Sequence, residues 1–128
     1  DLICENIIIS KIKEYNPNAN VYSEESSDIS QLKNDKNEIK YLIDPLDGTH
    51  NFFFGLPYWG ICVAVLNSEN VSIASIIYVP MMEMLLKCEG IKKPSYILSN
   101  NSWNRIYTKP RSLNKSLVCL QVHHHDFY

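Results

Sequence analysis

The sequence predicts an α+β domain in which one opening helix packs on a largely antiparallel sheet. Apolar residues recur at helical spacing over Leu2–Tyr15. Beyond this segment, short apolar runs alternate with turn residues, which is typical of strands. Two of the runs, residues 59–66 and 71–79, are separated by only a few residues and therefore favour a hairpin. A helix followed by a run of strands places the chain in the α+β class.

The composition is that of one soluble globular domain. The chain has 128 residues, enough for a core of its own. A net charge of −2 argues against a general electrostatic attraction to nucleic acid or to anionic membranes. The longest apolar run, residues 61–66, is far too short to span a bilayer, and no secretory signal is visible. We therefore expect a cytoplasmic protein that binds neither nucleic acid nor membrane.

The cysteines, histidines 123–125 and the cluster of aromatic residues are expected to have no catalytic, metal-binding or base-stacking role. The four cysteines are widely spaced without a CxxC pair, so reduced, mostly buried thiols are expected rather than a zinc site. Histidines 123–125 lie on consecutive positions, whose side chains point to opposite faces of a strand, so an exposed stretch is favoured over a metal site. The aromatic residues 52–54, Tyr58 and Trp59 are expected in the core or a subunit interface rather than stacked on bases.

The opening helix has both of its ends marked. Asp1 stands where an N-cap is expected, and the sequence Asn-Pro-Asn at residues 16–18 ends the helix. The apolar positions in between form a broad stripe. They are residues 2, 3, 4, 7, 8, 9, 12 and 15.

Strands are expected wherever an apolar or β-branched run lies between turn residues. The most informative is the run at residues 41–43, which is followed by acidic and turn-forming residues. Residues 26–37 are polar without periodicity and predict a surface loop. The remaining expected strands, besides the hairpin, are residues 21–22, 82–87, 96–98 and 117–122.

The residues after the 41–43 strand carry the strongest chemical signal. Asp44 and Asp47 are three residues apart, and Pro45 and Gly48 hold them where the chain turns, so their carboxylates can converge. Converging carboxylates repel one another unless a cation lies between them, and Mg²⁺ prefers oxygen ligands. Gly48 and Thr49 are expected to begin a short helix whose backbone N–H groups point at an anion. The alternative is a plain surface turn, since Asp-Pro and Asp-Gly are common turn dipeptides.

The whole string is more specific than its dipeptides. Asp-Pro-Leu-Asp-Gly-Thr-x-x-Phe, which ends at Phe52, resembles the signature of the inositol monophosphatase family of Mg²⁺-dependent, lithium-sensitive phosphatases. Upstream, residues 23–26 (Ser-Glu-Glu-Ser) resemble the family's Gly-Glu-Glu-Ser, with Ser23 in place of glycine. The resemblance implies that residues 1–128 form the N-terminal, metal-binding lobe of a layered α/β sandwich, and that the C-terminal lobe is absent. It also implies a homodimer.

The resemblance assigns metal ligands to the two motifs. It implies that Glu24 binds a Mg²⁺ ion and orients the attacking water. Asp44 then bridges two metals, while Asp47 binds the second one. The backbone carbonyl of Leu46 completes the shell of the first metal, which leaves its side chain free to be buried. For Glu24, the alternative is a solvated loop acid.

The resemblance also assigns the groups that handle water and phosphate. The hydroxyl of Thr49 holds the attacking water, Asp1 accepts a hydrogen bond from Thr49, and the backbone amides of Gly48 and Thr49 hold the phosphate. Helix capping is the alternative for Thr49 and for Asp1. The implied reaction is direct hydrolysis of a small phosphate ester, without a phospho-enzyme, by metal activation of water.

One family motif is missing. The family's Trp-Asp-x-Ala-Ala-Gly supplies a further aspartate to the second metal, but here Trp59 and Trp103 are followed by Gly60 and Asn104. The second metal therefore lacks a ligand, and the substrate pocket lacks a wall. A truncated remnant that binds Mg²⁺ or a partner subunit without turnover is one alternative function.

A second alternative is a phosphatase for phosphoadenosine phosphates. Those enzymes typically carry lysine after the Asp-Gly-Thr string, whereas this chain has His50 followed by Asn51 and Phe52. These residues resemble the Thr-Asn-Phe of the inositol branch. The sequence therefore favours an ester of the inositol 1-phosphate type.

Overall fold

The computed structural model describes residues 2–26, 39–107, 109 and 112. Within these residues the chain forms a long helix, a short helix and seven strands that belong to one sheet. No described helix is long and apolar enough to cross a membrane. In chain order the elements are α1 (Leu2–Tyr15), β1 (Asn20–Ser23), β2 (Lys40–Asp47), α2 (Thr49–Phe53), β3 (Gly60–Leu66), β4 (Ser72–Val79), a 3-10 turn (Pro80–Met82), β5 (Met84–Cys88), β6 (Ser95–Ser99) and β7 (Ser102–Arg105).

The seven described strands lie in the sheet in the order in which they occur in the chain. β1 and β2 are parallel, and every other neighbouring pair is antiparallel. Helix α1 packs mainly on β2, near one edge of the sheet. The predicted α+β fold with a largely antiparallel sheet is therefore confirmed.

Helix α1 has the predicted bounds, but its apolar stripe is broader than the surface it covers. Ile8 and Ile12 are half-buried against Tyr41 of β2 and Val63 of β3. Four large apolar residues of the stripe are exposed, and the one buried residue of α1 is an acid, Glu5. Asp1 and its predicted N-cap role lie outside the described residues. The exposed members of the stripe are Leu2, Ile3, Ile7 and Tyr15.

The predicted hairpin of β3 and β4 is confirmed, with Val63 opposite Ile76. Asn67 stabilises its turn, because the side-chain oxygen of this residue accepts hydrogen bonds from the backbone N–H groups of Glu69 (3.0 Å) and Val71 (2.9 Å). Such side-chain to backbone bonds are the reason that asparagine favours turns. The predicted turn between the two apolar runs is therefore stabilised by specific hydrogen bonds.

The strand predicted at residues 41–43 is longer than expected, because β2 runs from Lys40 through Pro45 to Asp47. The pairing with β3 shifts here: Asp44 lies opposite Cys62, but Asp47 lies opposite Gly60. Two residues of β2 therefore face a single residue of β3, which defines a β-bulge. Proline is tolerated at a bulge because the ladder does not need its missing N–H there. The turn begins only at Gly48.

The far part of the sheet also differs from the prediction. β5 begins at Met84 because residues 80–82 form a 3-10 turn, and β7 was not predicted at all. Asn100 and Asn101 both have positive φ between β6 and β7, and asparagine tolerates that conformation in a tight hairpin turn. Residues 117–122 and 123–125 lie outside the described residues, as does the predicted loop at 26–37 except Ser26.

The buried core is small and lies near β2. Its most buried apolar residues are Ile43 and Leu46 of β2, Leu66 of β3 and Ala19. The prediction that the cysteines are mostly buried is not confirmed, because all three described cysteines are half-buried free thiols. The aromatic residues 52–54 are exposed and so do not belong to the core of this chain, and the subunit interface predicted as the other possibility stays a prediction. The described cysteines are Cys4, Cys62 and Cys88, while Cys119 lies outside the described residues.

Candidate active site

The bulge in β2 brings two carboxylates to one side of the sheet. In a regular strand, residues three apart point to opposite faces. Because Asp44 and Asp47 pair with Cys62 and Gly60, which are two residues apart on β3, the bulge places both acids on the same face. The buried side chains of Pro45 and Leu46 fix the chain between them. The irregular strand is thus what allows the pair to act together.

A third carboxylate reaches this pair from β1. The backbone N–H of Glu24 donates to the carbonyl of Ile43 at 3.1 Å, which continues the parallel β1–β2 ladder one residue past β1. The negative charge of Asp44 raises the pKa of Glu24. A hydrogen bond to Asp44, partial burial and the charges of Glu25 and Asp47 raise it further. Glu24 and Asp44 are therefore in direct contact, with Asp47 close by.

The carboxylate of Asp44 is oriented by its own strand. Its Oδ1 accepts a hydrogen bond from the backbone N–H of Leu46 at 3.1 Å. The Leu46 side chain is buried, as predicted, and its backbone carbonyl accepts a hydrogen bond from the Thr49 hydroxyl at 3.1 Å. The structure thus brings the Leu46 carbonyl next to the Thr49 hydroxyl. The family resemblance predicts that the first group binds the first metal and that the second holds the attacking water.

Gly48 makes the sharp turn from β2 into α2. Its φ of +87° is a left-handed conformation that favours glycine, and a Cβ built there would lie 2.9 Å from the Tyr58 carbonyl oxygen. Gly48 is the N-cap of α2, and no side chain caps this helix. The capping alternative for Thr49 is therefore wrong. The side-chain amide of Asn51 donates to the Tyr58 carbonyl at 2.6 Å and ties α2 to the segment before β3.

A cysteine that the sequence analysis treated as structural borders the carboxylates. The thiol Sγ of Cys62 lies 4.0 Å from Oδ2 of Asp47. Partial burial raises the pKa of Cys62, and the negative charges of Asp47 and Asp44 raise it further. The thiol therefore stays protonated near neutral pH and is a poor nucleophile. Only the sheet register, in which Cys62 pairs with Asp44, reveals this contact.

The donor set fits a hard cation. Carboxylate and carbonyl oxygens are the ligands of Mg²⁺, and a divalent cation would relieve the repulsion that raises the pKa of Glu24. Within residues 2–26, 39–107, 109 and 112, no group of three or more His, Cys, Asp or Glu side chains already stands in a metal-enclosing arrangement. The described carboxylates form a contacting pair, Glu24 and Asp44, with Asp47 beside it. Asp1, the predicted partner of Thr49, lies outside the described residues.

Comparisons with known proteins agree with the two motifs. The sequence profile of the inositol monophosphatase family matches residues 1–126. The chain is 37% identical to a fructose-1,6-bisphosphatase from Pyrococcus furiosus over 91 residues, which cover 71% of this chain and 32% of the relative. It is 31% identical to an inositol monophosphatase from Mesembryanthemum crystallinum over 100 residues, which cover 77% of this chain and 36% of the relative. The chain thus spans about a third of the length of these curated relatives.

The fold is also found among solved structures. A Pyrococcus horikoshii protein described as similar to inositol-1 monophosphatase superposes with a TM-score of 0.66 and 34% sequence identity. The superposition covers 88% of this chain and 41% of that one. Both the sequence and the described helix and sheet therefore match one part of a longer, known fold.

Proposed function

Because the chain belongs to the inositol monophosphatase family, we propose that it supplies the metal-binding part of a Mg²⁺-dependent phosphomonoesterase. The family consists of phosphatases, and its profile matches nearly the whole chain. The observation that carries the proposal is the contact of Glu24 with Asp44 beside Asp47, because carboxylates gathered in this way favour a divalent cation. The substrate is a small phosphate ester of the inositol 1-phosphate type.

Four oxygen groups would hold the cation. These are the carboxylates of Glu24, Asp44 and Asp47 and the backbone carbonyl of Leu46. The hydrogen bond from the Leu46 N–H to Asp44 and the burial of the Leu46 side chain hold two of these groups in place before any cation binds. A bound Mg²⁺ ion would lower the pKa of an attacking water and neutralise negative charge on the leaving oxygen.

The remaining groups would position water and phosphate. Thr49, whose hydroxyl already lies at the Leu46 carbonyl, holds the attacking water together with Glu24. Asp1 accepts the hydrogen bond of the Thr49 hydroxyl in the ligand-bound state. The backbone amides of Gly48 and Thr49 bind the phosphate, and the lack of a Cβ at Gly48 permits the turn that presents them. Direct hydrolysis is favoured over a covalent route, since the neighbouring Cys62 thiol has a raised pKa.

A sugar bisphosphate is a second candidate substrate. It is favoured by the 37% identity to a protein named fructose-1,6-bisphosphatase. Phosphoadenosine phosphate is a third, disfavoured by His50 in the position where that branch typically has lysine. A cytoplasmic homodimer remains part of the proposal.

A different class of function is a remnant that binds Mg²⁺ or a partner subunit without turnover. The feature behind this alternative is that the third family motif does not occur within these 128 residues. Turnover by the chain itself distinguishes the two classes.

Phosphate release by the purified 128-residue chain tests the proposal. Inositol 1-phosphate, fructose 1,6-bisphosphate and phosphoadenosine phosphate are compared with and without Mg²⁺. We expect Mg²⁺-dependent release that Asp47→Ala abolishes and that Glu69→Ala, a change at an exposed acid in the β3–β4 turn, leaves intact. A folded chain that binds Mg²⁺ but releases no phosphate would instead establish the non-catalytic class. A folded chain that does not bind Mg²⁺ would refute the metal site.

A further inference from the structure

The one buried residue of α1 is a carboxylic acid. Glu5 is only 3% exposed, although the apolar stripe of the same helix offers several isoleucines for burial. Burial of a carboxyl group is unfavourable unless it is hydrogen-bonded. The first turn of a helix, where Glu5 lies, offsets part of this cost because its N–H groups favour negative charge. A specific contact must offset the remaining cost of burying this carboxyl group.

Glu5 makes that contact with the Ser-Glu-Glu-Ser motif at residues 23–26. The hydroxyl of Ser26 donates a hydrogen bond to Oε1 of Glu5, across 21 residues of sequence. The second oxygen, Oε2, is buried without a hydrogen-bond partner in the described structure, and so is the hydroxyl of Ser23. Both groups lie next to the turn at residues 24–26, whose own residues are exposed.

The turn is therefore held at both of its ends. At the first end, the backbone N–H of Glu24 donates to the Ile43 carbonyl of β2 at 3.1 Å. At the second end, the side chain of Ser26 is bonded to Glu5 of α1. Between these two points the Glu24 side chain reaches Asp44. Without the second point, the backbone of the turn would be held at its first end by the ladder bond.

We propose that Glu5 is a positioning residue, whose hydrogen bond with Ser26 keeps the Glu24 carboxyl over Asp44 and so sets the affinity of the site for a divalent cation. The inference rests on the proposed function, since it takes Glu24 to be a metal ligand. Neither Glu5 nor Ser26 is itself a ligand. Residues that orient metal ligands typically change metal affinity by about 10- to 100-fold when they are removed.

Two measurements on the 128-residue chain test the proposal. The first is amide hydrogen exchange at Glu24 without metal, which reports whether the turn is held. The second is the dissociation constant for Mg²⁺, which reports the site. Ser26→Ala removes the donor from an exposed position, so the fold is retained, and Ser26→Thr restores a hydroxyl. Glu14→Gln, on the exposed side of α1, is the matched control for changes at Glu5.

We expect Ser26→Ala to speed exchange at Glu24 and to weaken Mg²⁺ binding by roughly tenfold. Ser26→Thr is expected to restore slow exchange at Glu24 and tight Mg²⁺ binding. Glu5→Gln keeps an acceptor oxygen, so it should speed exchange and weaken Mg²⁺ binding less than Glu5→Ala does. Unchanged exchange and unchanged affinity in Ser26→Ala would overturn the inference. If the unaltered chain does not bind Mg²⁺, the proposed function fails, and exchange at Glu24 alone still decides whether Glu5 holds the turn.

Discussion

The two ends of the sheet differ in how completely their side chains are packed. At the end formed by β1, β2 and α1, Ile43 is 1% exposed, and Leu46 and Ser23 are buried as well. At the other end, Ile76 and Ile77 of β4 and Trp103 of β7 each leave about two-fifths of their surface or more exposed. All four residues of β7 are exposed. The three carboxylates Glu24, Asp44 and Asp47 of the candidate active site lie at the packed end.

This difference indicates that the two acidic motifs are supported by the elements that carry them. Glu24 and Asp44 are held by hydrogen bonds to β2, next to the buried side chains of Ile43 and Leu46. Among the described residues, the exposed end presents the larger share of partly exposed apolar strand residues. Changes of the same chemical type should therefore have large effects at the packed end and small effects at the exposed end.

The largest difference in stability is expected between alanine substitutions of two isoleucines that occupy equivalent positions on either side of β3. Ile43 and Ile76 both pair with Val63, so they lie on the same face of the sheet, one strand to each side. Ile43→Ala should lower the free energy of unfolding by about 3 kcal/mol, because it opens a cavity at a fully buried position. Ile76 is 47% exposed, so Ile76→Ala should cost about 1 kcal/mol or less. Urea unfolding of both variants measures the difference, and equal losses would refute the comparison.

A second prediction concerns the turn between β2 and α2. In Gly48→Ala, the strain of a positive φ is combined with a close approach to the Tyr58 carbonyl at 2.9 Å. We expect a loss of about 2 kcal/mol or more in the free energy of unfolding. Gly55→Ala is the matched control: its φ of +69° imposes similar strain, but no atom lies within 4 Å of its Cβ. It should cost only about 1 kcal/mol. A smaller loss at Gly48 than at Gly55 would show that the turn is not tightly packed.

The packed end also shows how far sequence reasoning reaches. Local patterns predicted the bounds of α1, the β3–β4 hairpin and the clustering of acids around residues 44–49, because spacing and turn chemistry are written in neighbouring residues. They did not predict that β2 continues through Pro45, because the bulge that tolerates the proline arises from the pairing with β3. The same holds for Cys62 beside Asp47, a contact that only the register of two strands creates.

Long-range side-chain contacts were equally invisible. Nothing near Glu5 in the sequence indicates burial, and its partner Ser26 is 21 residues away. β7 was missed because its residues alternate weakly and are all exposed, although the two asparagines before it offered a turn signal. Metal ligation, the role of Asp1 and the substrate stay predictions.

A third prediction concerns the hydroxyl of Thr49. Thr49→Val removes the donor to the Leu46 carbonyl while it nearly preserves volume. The free energy of unfolding should fall by about 1 kcal/mol, the usual value of one hydrogen bond, since Thr49 is exposed enough for water to compensate in part. Thr49→Ser, which keeps the hydroxyl, is the control. If the serine and valine variants lose equal stability, the hydrogen bond to Leu46 contributes nothing.

The smallest effects are expected at two lysines on the surface, Lys87 at the exposed end and Lys11 on α1. The Nζ of Lys87 lies 4.7 Å from the centroid of the Trp103 ring and 3.0 Å from a carboxylate oxygen of Glu89. Lys87→Met keeps the aliphatic length and removes the charge, so it should cost about 0.5 kcal/mol, the range of exposed cation–π and ion-pair contacts. Lys11→Met, which removes the ion pair to Glu14 on the surface of α1, should cost a few tenths of a kcal/mol.

Salt separates the two parts of the Lys87 effect. The contribution of an exposed ion pair falls as ionic strength rises, so any cost of Lys11→Met should vanish in about 1 M salt. The contact of the Lys87 charge with the Trp103 ring is less sensitive to salt, so part of the cost of Lys87→Met should remain. A loss above about 2 kcal/mol at Lys87 would mean that β5 to β7 are held as firmly as β1 and β2, because exposed contacts of this kind do not reach that value. In that case the exposed end would be a second packed region, and the contrast between the two ends would not hold.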